Sequence, residues 1–174
     1  GGTAGVGISS STLVKASTVV AYIGDDADIA TAGSQGLSIT AEQAEILNTV
    51  ARGGTGGGDA GVAGSATVNV LDQTTLAYVG QGTGTGTNVD ATRVVVRAVD
   101  HTTIQGFAGA FAVGGSAGVG AGVDVAVVTK RTEASIGTGA VVHSDNDARV
   151  TSLSSEHITS LSASETLSGT AAIA

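Results

Sequence analysis

The fold is decided by the stretch Ala117-Gly-Val-Gly-Ala-Gly-Val-Asp-Val-Ala-Val-Val-Thr-Lys-Arg-Thr-Glu-Ala-Ser-Ile-Gly137. From Val119 to Val127, valine or alanine stands at every second position, between glycine, aspartate and alanine. An alternation with a period of two, rich in β-branched residues, predicts a half-buried β-strand rather than a helix.

The same pattern occurs three times along the chain. It begins at Ala4, Ala60 and Ala117, which lie 56 and 57 residues apart. The second half of each unit repeats more loosely, in segments that begin at Leu37, Val94 and Val150. The sequence therefore predicts repeat units at 1–57, 58–114 and 115–168, with the start of a fourth at 169–174, cut from a longer array.

Each unit is predicted to contain four or five short strands. A polar corner follows the first strand, and a glycine ends the second strand and opens a turn. The predicted corners are Lys15–Thr18, Asp72–Thr75 and Thr129–Thr132, and the glycines are Gly24, Gly80 and Gly137. With that many strands, a unit makes two rungs of about 28 residues or three of about 19.

The composition favours an all-β solenoid with a thin interior. The chain has 28 Gly, two Tyr and two Phe, and it lacks Cys, Pro, Met and Trp. Large aromatic anchors are therefore scarce, and we expect stacked copies to cover one another's valines. Phe107 and Phe111 are expected to fill a rung interior or a strand-turn edge. A β-sandwich is the structural alternative, but it needs antiparallel hairpins and usually a few large core residues.

The charge balance limits the classes of partner. Only seven Lys and Arg stand against 15 Asp and Glu, for a net charge of −8, and binding to nucleic acid requires a basic surface. The segment Ile104–Val123 carries no charge and is long enough to be considered as a membrane helix. Its second half aligns with predicted strands, so we expect a chain that does not span a membrane.

The run from Gly118 to Gly137 resembles the repeats of very large bacterial exoproteins. These are the filamentous-haemagglutinin-like adhesins and the related leukotoxin-type filamentous proteins, and the likeness covers all three units. The resemblance implies a right-handed parallel β-helix that forms the shaft of a secreted surface filament, exported in many such systems through a partner outer-membrane pore.

Candidate sites are few, and no catalytic or cofactor-binding residue is predicted. Clustered carboxylates suit Ca²⁺, so the metal candidates are Asp25, Asp26, Asp28, Asp145 and Asp147, which are more readily explained as solvated acidic turns. His101 and His157 follow acidic residues at what the alignment takes as equivalent positions, and we expect exposed polar sites there. The glycine-rich runs lack the Gly-Lys-Ser/Thr of a phosphate-binding loop.

These observations lead to a prediction of function. We expect a non-enzymatic structural shaft of a secreted or cell-surface filamentous adhesin, which holds binding regions away from the cell. Its expected partners are neighbouring repeats or end-to-end copies of itself, and a host-cell or surface receptor. The alternatives are a fragment of a β-helical polysaccharide-processing enzyme and a toxin or pore-forming segment.

Overall fold

The computed structural model describes residues 3–31, 34, 36–81 and 86–174. All regular structure within these ranges is β-strand, in six long strands and two short ones. The strands are β1 (Ala4–Ile23), β2 (Asp28–Ala30), β3 (Leu37–Gly57), β4 (Ala60–Val79), β5 (Asn88–Gly114), β6 (Ala117–Ile136), β7 (Val141–Ser168) and β8 (Ala171–Ile173).

The strands form two sheets, and the chain passes from one sheet to the other after each long strand. The first sheet has the order β1-β4-β6-β8. In the second, β5 lies at the centre, with β2 and β3 along one edge and β7 along the other. Every pairing is parallel. The all-β class is confirmed, and the parallel sheets are consistent with a β-helix or solenoid.

Strands β1, β4 and β6 pair at the spacing of the aligned segments, and so do strands β3 and β5. Ala4 pairs with Ala60, Ala60 pairs with Ala117, and Leu37 pairs with Val94. Each predicted unit thus adds one long strand to each sheet, and the prediction of two or three rungs per unit is wrong. The reason is that the predicted polar corners continue as strand: Lys15–Thr18 lies within β1, Asp72–Thr75 within β4 and Thr129–Thr132 within β6.

The repeated valines lie side by side but point outward. Val62 is paired with Val6 on one side and with Val119 on the other. These three side chains are 42%, 71% and 37% exposed, so the prediction of a buried valine face is wrong. Strand β4 runs without a break to Ala77 and Val79, which are buried. Side chains alternate between the two faces along an unbroken strand. Val62 is an odd number of positions away from Ala77 and Val79, so it lies on the opposite, outer face.

The second halves of units 2 and 3 are out of step by two residues. Val150 pairs with Val96 rather than with Val94, its expected equivalent. The register between β5 and β7 changes by one residue at a bulge, where Asp145 and Asn146 lie opposite Thr92.

Two further expectations concern β5 and β6. Phe107 and Phe111 stand on the outer face of the second sheet, where Phe111 is 43% exposed, so the expectation that they fill the interior is wrong. The segment Ile104–Val123 lies in β5, β6 and the turn between them. No helix that is long and apolar enough to cross a membrane occurs in the described part of the chain.

Glycines let the two sheets approach closely at one end. A Cβ on Gly7 would lie closer than 3.0 Å to the backbone of Gly54, and one on Gly53 would collide in the same way with Gly64. Similar clashes hold for Gly61 against Val113. At the other end, the interior widens enough for Ile23, Val79 and Val96, which belong to the largest apolar cluster. The glycine runs are therefore a packing requirement of the narrow end.

Adjacent glycines in β3 offer a direct test of this close approach. We expect Gly53→Ala to lower the free energy of unfolding by about 1–3 kcal/mol, because its methyl group meets the backbone of the facing sheet. Gly54→Ala, whose Cβ meets nothing within 4 Å, is expected to be neutral or slightly stabilising. Urea unfolding measures both, and equal effects of the two substitutions would contradict the packing account.

Candidate functional site

Polar side chains form a continuous chain of contacts between the two sheets. Each of the six long strands contributes one inward-pointing member, and the contacts alternate between the sheets. We call this set the polar ladder; it consists of Ser17, Gln43, Thr75, Asp100, Lys130 and Glu156.

Hydrogen bonds make the first half of the polar ladder. The Gln43 amide donates to the Ser17 hydroxyl. Thr75 Oγ1 lies 3.1 Å from Gln43 Oε1 and 3.2 Å from Asp100 Oδ2, so one hydroxyl reaches two successive strands of the facing sheet. Both contacts are buried, and Thr75 links two neighbouring units through the interior.

An ion-pair trio makes the second half. Lys130 Nζ lies 2.5 Å from Asp100 Oδ1 and 3.1 Å from Glu156 Oε1. The Asp100 side chain is fully buried, the Lys130 side chain is 8% exposed and the Glu156 side chain is 41% exposed. A charge as deeply buried as that of Asp100 is tolerated only when it is paired and hydrogen-bonded. Lys130 on β6 supplies the cation. It reaches across the interior to Asp100 on β5 and to Glu156 on β7, both in the facing sheet.

The cation also changes the titration of its more exposed partner. The hydrogen bond from Lys130, together with a second one from Ser154, holds the pKa of Glu156 below its ordinary value of 4.5. Glu156 therefore stays ionised at a lower pH than an isolated glutamate does.

Further polar contacts flank the polar ladder. Thr102 donates to Gln73 Oε1 at 2.6 Å, and Asn69 Nδ2 donates to Thr49 Oγ1 at 2.8 Å. The hydroxyl of Thr67 donates to Asp124, whose carboxylate occupies the space that a side chain at residue 106 would need; Gly106 leaves that space open. The middle of the interior thus contains many polar groups beside the apolar cluster of Leu47, Leu71 and Ile104. Not all of these polar groups are paired, because Asn69 Oδ1 and Gln73 Nε2 are buried without a hydrogen-bond partner among the described residues.

The acidic residues predicted as Ca²⁺ candidates occupy two separate places. Asp25 accepts a hydrogen bond from the Gln81 backbone at 2.6 Å, Asp26 has a φ of 60° in the turn, and Asp28 begins β2. Asp145 and Asp147 lie in β7 rather than in a turn, 3.6 Å from His143 and 3.9 Å from Arg93 respectively. The described residues include no group of three or more His, Cys, Asp or Glu able to hold a metal ion, and Ca²⁺ binding stays a prediction.

His101 and His157 do not occupy equivalent positions. His101 pairs with Ser155, and its Nδ1 lies 2.6 Å from that hydroxyl. His157 pairs with Thr103 instead, so the pairing between β5 and β7 is displaced by two residues from the expected alignment. Both side chains are exposed, as expected for polar surface positions.

Sequence reasoning missed the polar ladder because it assigned the polar runs of each first half to solvent-facing corners. A signal was present: polar residues recur at every second position both at Gln73 and Thr75 and at Asp100 and Thr102. Two such runs, one in each half of a unit, are typical of polar columns that face each other. The sequence does not show that these two runs lie opposite each other, because they belong to different sheets.

Comparisons with protein-family models, with curated proteins and with solved structures found no match to this chain.

Lys130 provides a test of the buried trio. We expect Lys130→Met to cost about 3–5 kcal/mol of stability, because it leaves Asp100 buried without a cation. The neighbouring Arg131 side chain is 66% exposed and pairs with Glu133, so Arg131→Met is expected to cost about 0–1 kcal/mol. Chemical unfolding measures both. Combining Lys130→Met with Asp100→Leu should restore most of the loss, and a Lys130 variant as stable as the Arg131 variant would contradict the assignment.

Glu156 provides a test by pH. Its pKa is lower in the folded chain than in the unfolded chain, so its ionised form adds stability above pH 4.5, which is lost as the pH falls through the folded pKa. We therefore expect Glu156→Gln to be less stable than the native chain at neutral pH and to lose less stability on acidification. Thermal melting across the acid range, with Glu133→Gln as the control, measures the difference. An unchanged pH profile would show that Glu156 gains nothing from Lys130.

Proposed function

We propose that this chain is a segment of the non-catalytic shaft of a secreted or cell-surface bacterial filamentous adhesin. In this proposal the two sheets are the faces of a right-handed parallel β-solenoid, and each unit of 56–57 residues makes one turn. The observation that carries the proposal is the one-to-one pairing of equivalent residues over whole strands, from Ala4 with Ala60 to Ile23 with Val79 and onward to Ile136.

The physical argument for a shaft rests on how such an array grows. Each added unit places one strand on each sheet and lengthens the rod by about 4.8 Å. The backbone hydrogen bonds then run along the rod axis and join each layer to the next. Growth in one dimension, with contacts only to adjacent layers, is typical of solenoid proteins, and the resulting rod suits a spacer.

The surface and edges of the structure support the same role. The net charge of −8 favours solubility and keeps a rod apart from anionic surfaces. Strands β1 and β3 lie at the edges of their sheets and present backbone groups that can pair with another parallel strand. In the proposal, the neighbouring repeats of the same array occupy these edges, or a second copy does so end to end. The receptor is bound by regions that the shaft presents.

The growth rule can be tested by adding units. We expect a chain with four extra copies of residues 58–114 to be about 19 Å longer along one axis, with an unchanged cross-section. Electron microscopy and small-angle scattering measure the length and the cross-section. Growth in width, or a string of separately folded beads, would contradict a single-turn solenoid.

The alternatives to a shaft have distinct readouts. Leakage of dye from liposomes caused by the chain alone would favour a pore-forming segment. Depolymerisation of acidic polysaccharides would favour a β-helical enzyme. Labelling of intact producing cells by an antibody against this segment is expected if the shaft stands at the cell surface, and labelling of lysed cells alone would contradict that location.

A further inference from the structure

A concave site lies on the outer face of the second sheet. Strand β5 presents Phe107, Gly109 and Phe111 on this face, one after another. The central Gly109 is paired with Arg52 of β3 on one side and with Ala163 of β7 on the other. Because the three central positions include a glycine and an alanine, the sheet surface is depressed between the two rings, and the resulting pocket has a volume of about 500 Å³.

The walls of this pocket combine apolar rings with two opposite charges. The guanidinium carbon of Arg52 lies 5.7 Å from the centre of the Phe107 ring, so the charged group extends along the aromatic face. A side chain on Gly109 would meet the Phe107 ring at 2.8 Å, which shows that this ring leans over the glycine. Glu165 of β7 pairs with Phe111 and lines the pocket.

We propose that this pocket binds a pyranose sugar. Arginine only donates hydrogen bonds, and an ionised glutamate only accepts them. A ligand that satisfies both Arg52 and Glu165 needs groups that donate and accept, and hydroxyl groups do both. The Phe107 and Phe111 rings require an apolar surface on the same molecule. A pyranose carries hydroxyls around its rim and C–H groups on its ring faces, and it meets both requirements.

The pocket is assembled from three successive units. Arg52 belongs to the first unit, Phe107 and Phe111 belong to the second, and Glu165 belongs to the third. The site therefore exists only when the layers stack in the observed register. The inference goes beyond the proposed shaft function, because it gives the stack a binding site of its own, and it does not depend on where the protein is located.

Saturation-transfer difference NMR on the full chain tests the proposal. The probes are the methyl pyranosides of glucose, galactose, mannose and N-acetylglucosamine. We expect at least one to receive saturation through its ring C–H protons and to bind about tenfold more weakly to Phe111→Ala, because one aromatic face is lost. Arg52→Gln and Glu165→Gln are each expected to weaken binding while leaving the thermal melting curve unchanged, since both side chains are exposed.

Ile46→Ala is the matched control. Ile46 is a 71% exposed apolar side chain on the outer face of the same sheet, outside this pocket, so its removal should leave sugar binding unchanged. Absence of signal from all four pyranosides would overturn the proposal. It would also be overturned if binding were unaffected by Arg52→Gln and Phe111→Ala, or reduced equally by the Ile46 control. If Phe111→Ala fails to fold, the Arg52 and Glu165 variants decide the outcome.

Discussion

The structure depends on the parallel pairing of each residue with its counterpart in the neighbouring unit. Because strands lie about 4.8 Å apart, a side chain that suits one layer must also suit the layers beside it. Small and uncharged residues satisfy this condition by repetition, as Val6, Val62 and Val119 do. Charged residues satisfy it only when the sequence changes between units. Lys130 replaces Gln73 and Ser17 in its column, which avoids a row of adjacent buried cations.

This constraint divides the space between the sheets into three zones. Glycines bring the backbones together at one end, and valine and isoleucine fill the other end. Between them lie the polar ladder and the apolar cluster of Leu47, Leu71 and Ile104. Hydrophobic burial favours the stack but fixes its register poorly, because slipping by two residues exchanges one aliphatic side chain for another. The Lys130 trio has specific partners, and a slip would leave the Asp100 charge buried and unpaired. We infer that the polar ladder selects the register that the apolar zone stabilises.

The sequence was sufficient for the strand class and for the alignment of Ala4, Ala60 and Ala117, which pair with one another, because alternation and self-similarity are local and countable. It misled on the number of layers, because polar runs such as Asp72–Thr75 are typical of turns and here cross the interior within a strand. It also misled on which face is buried, since valines favour strands on either face and here pack beside their counterparts outside. The polar ladder and the pocket between Phe107 and Phe111 each combine residues from several strands, so only the arrangement of strands brings these residues together.

The most direct test of this account is which residues lie side by side in adjacent layers. The Tyr22 and Tyr78 rings are stacked with their centres 5.3 Å apart, and the chain contains no cysteine. Under mild oxidation, a chain with Tyr22→Cys and Tyr78→Cys should form an intramolecular disulfide, because parallel partners lie within the Cα separation that a disulfide spans. A chain with Tyr22→Cys and Val50→Cys, which two layers per unit would bring together, should stay reduced. The opposite pattern would contradict the single layer per unit on which the whole account rests.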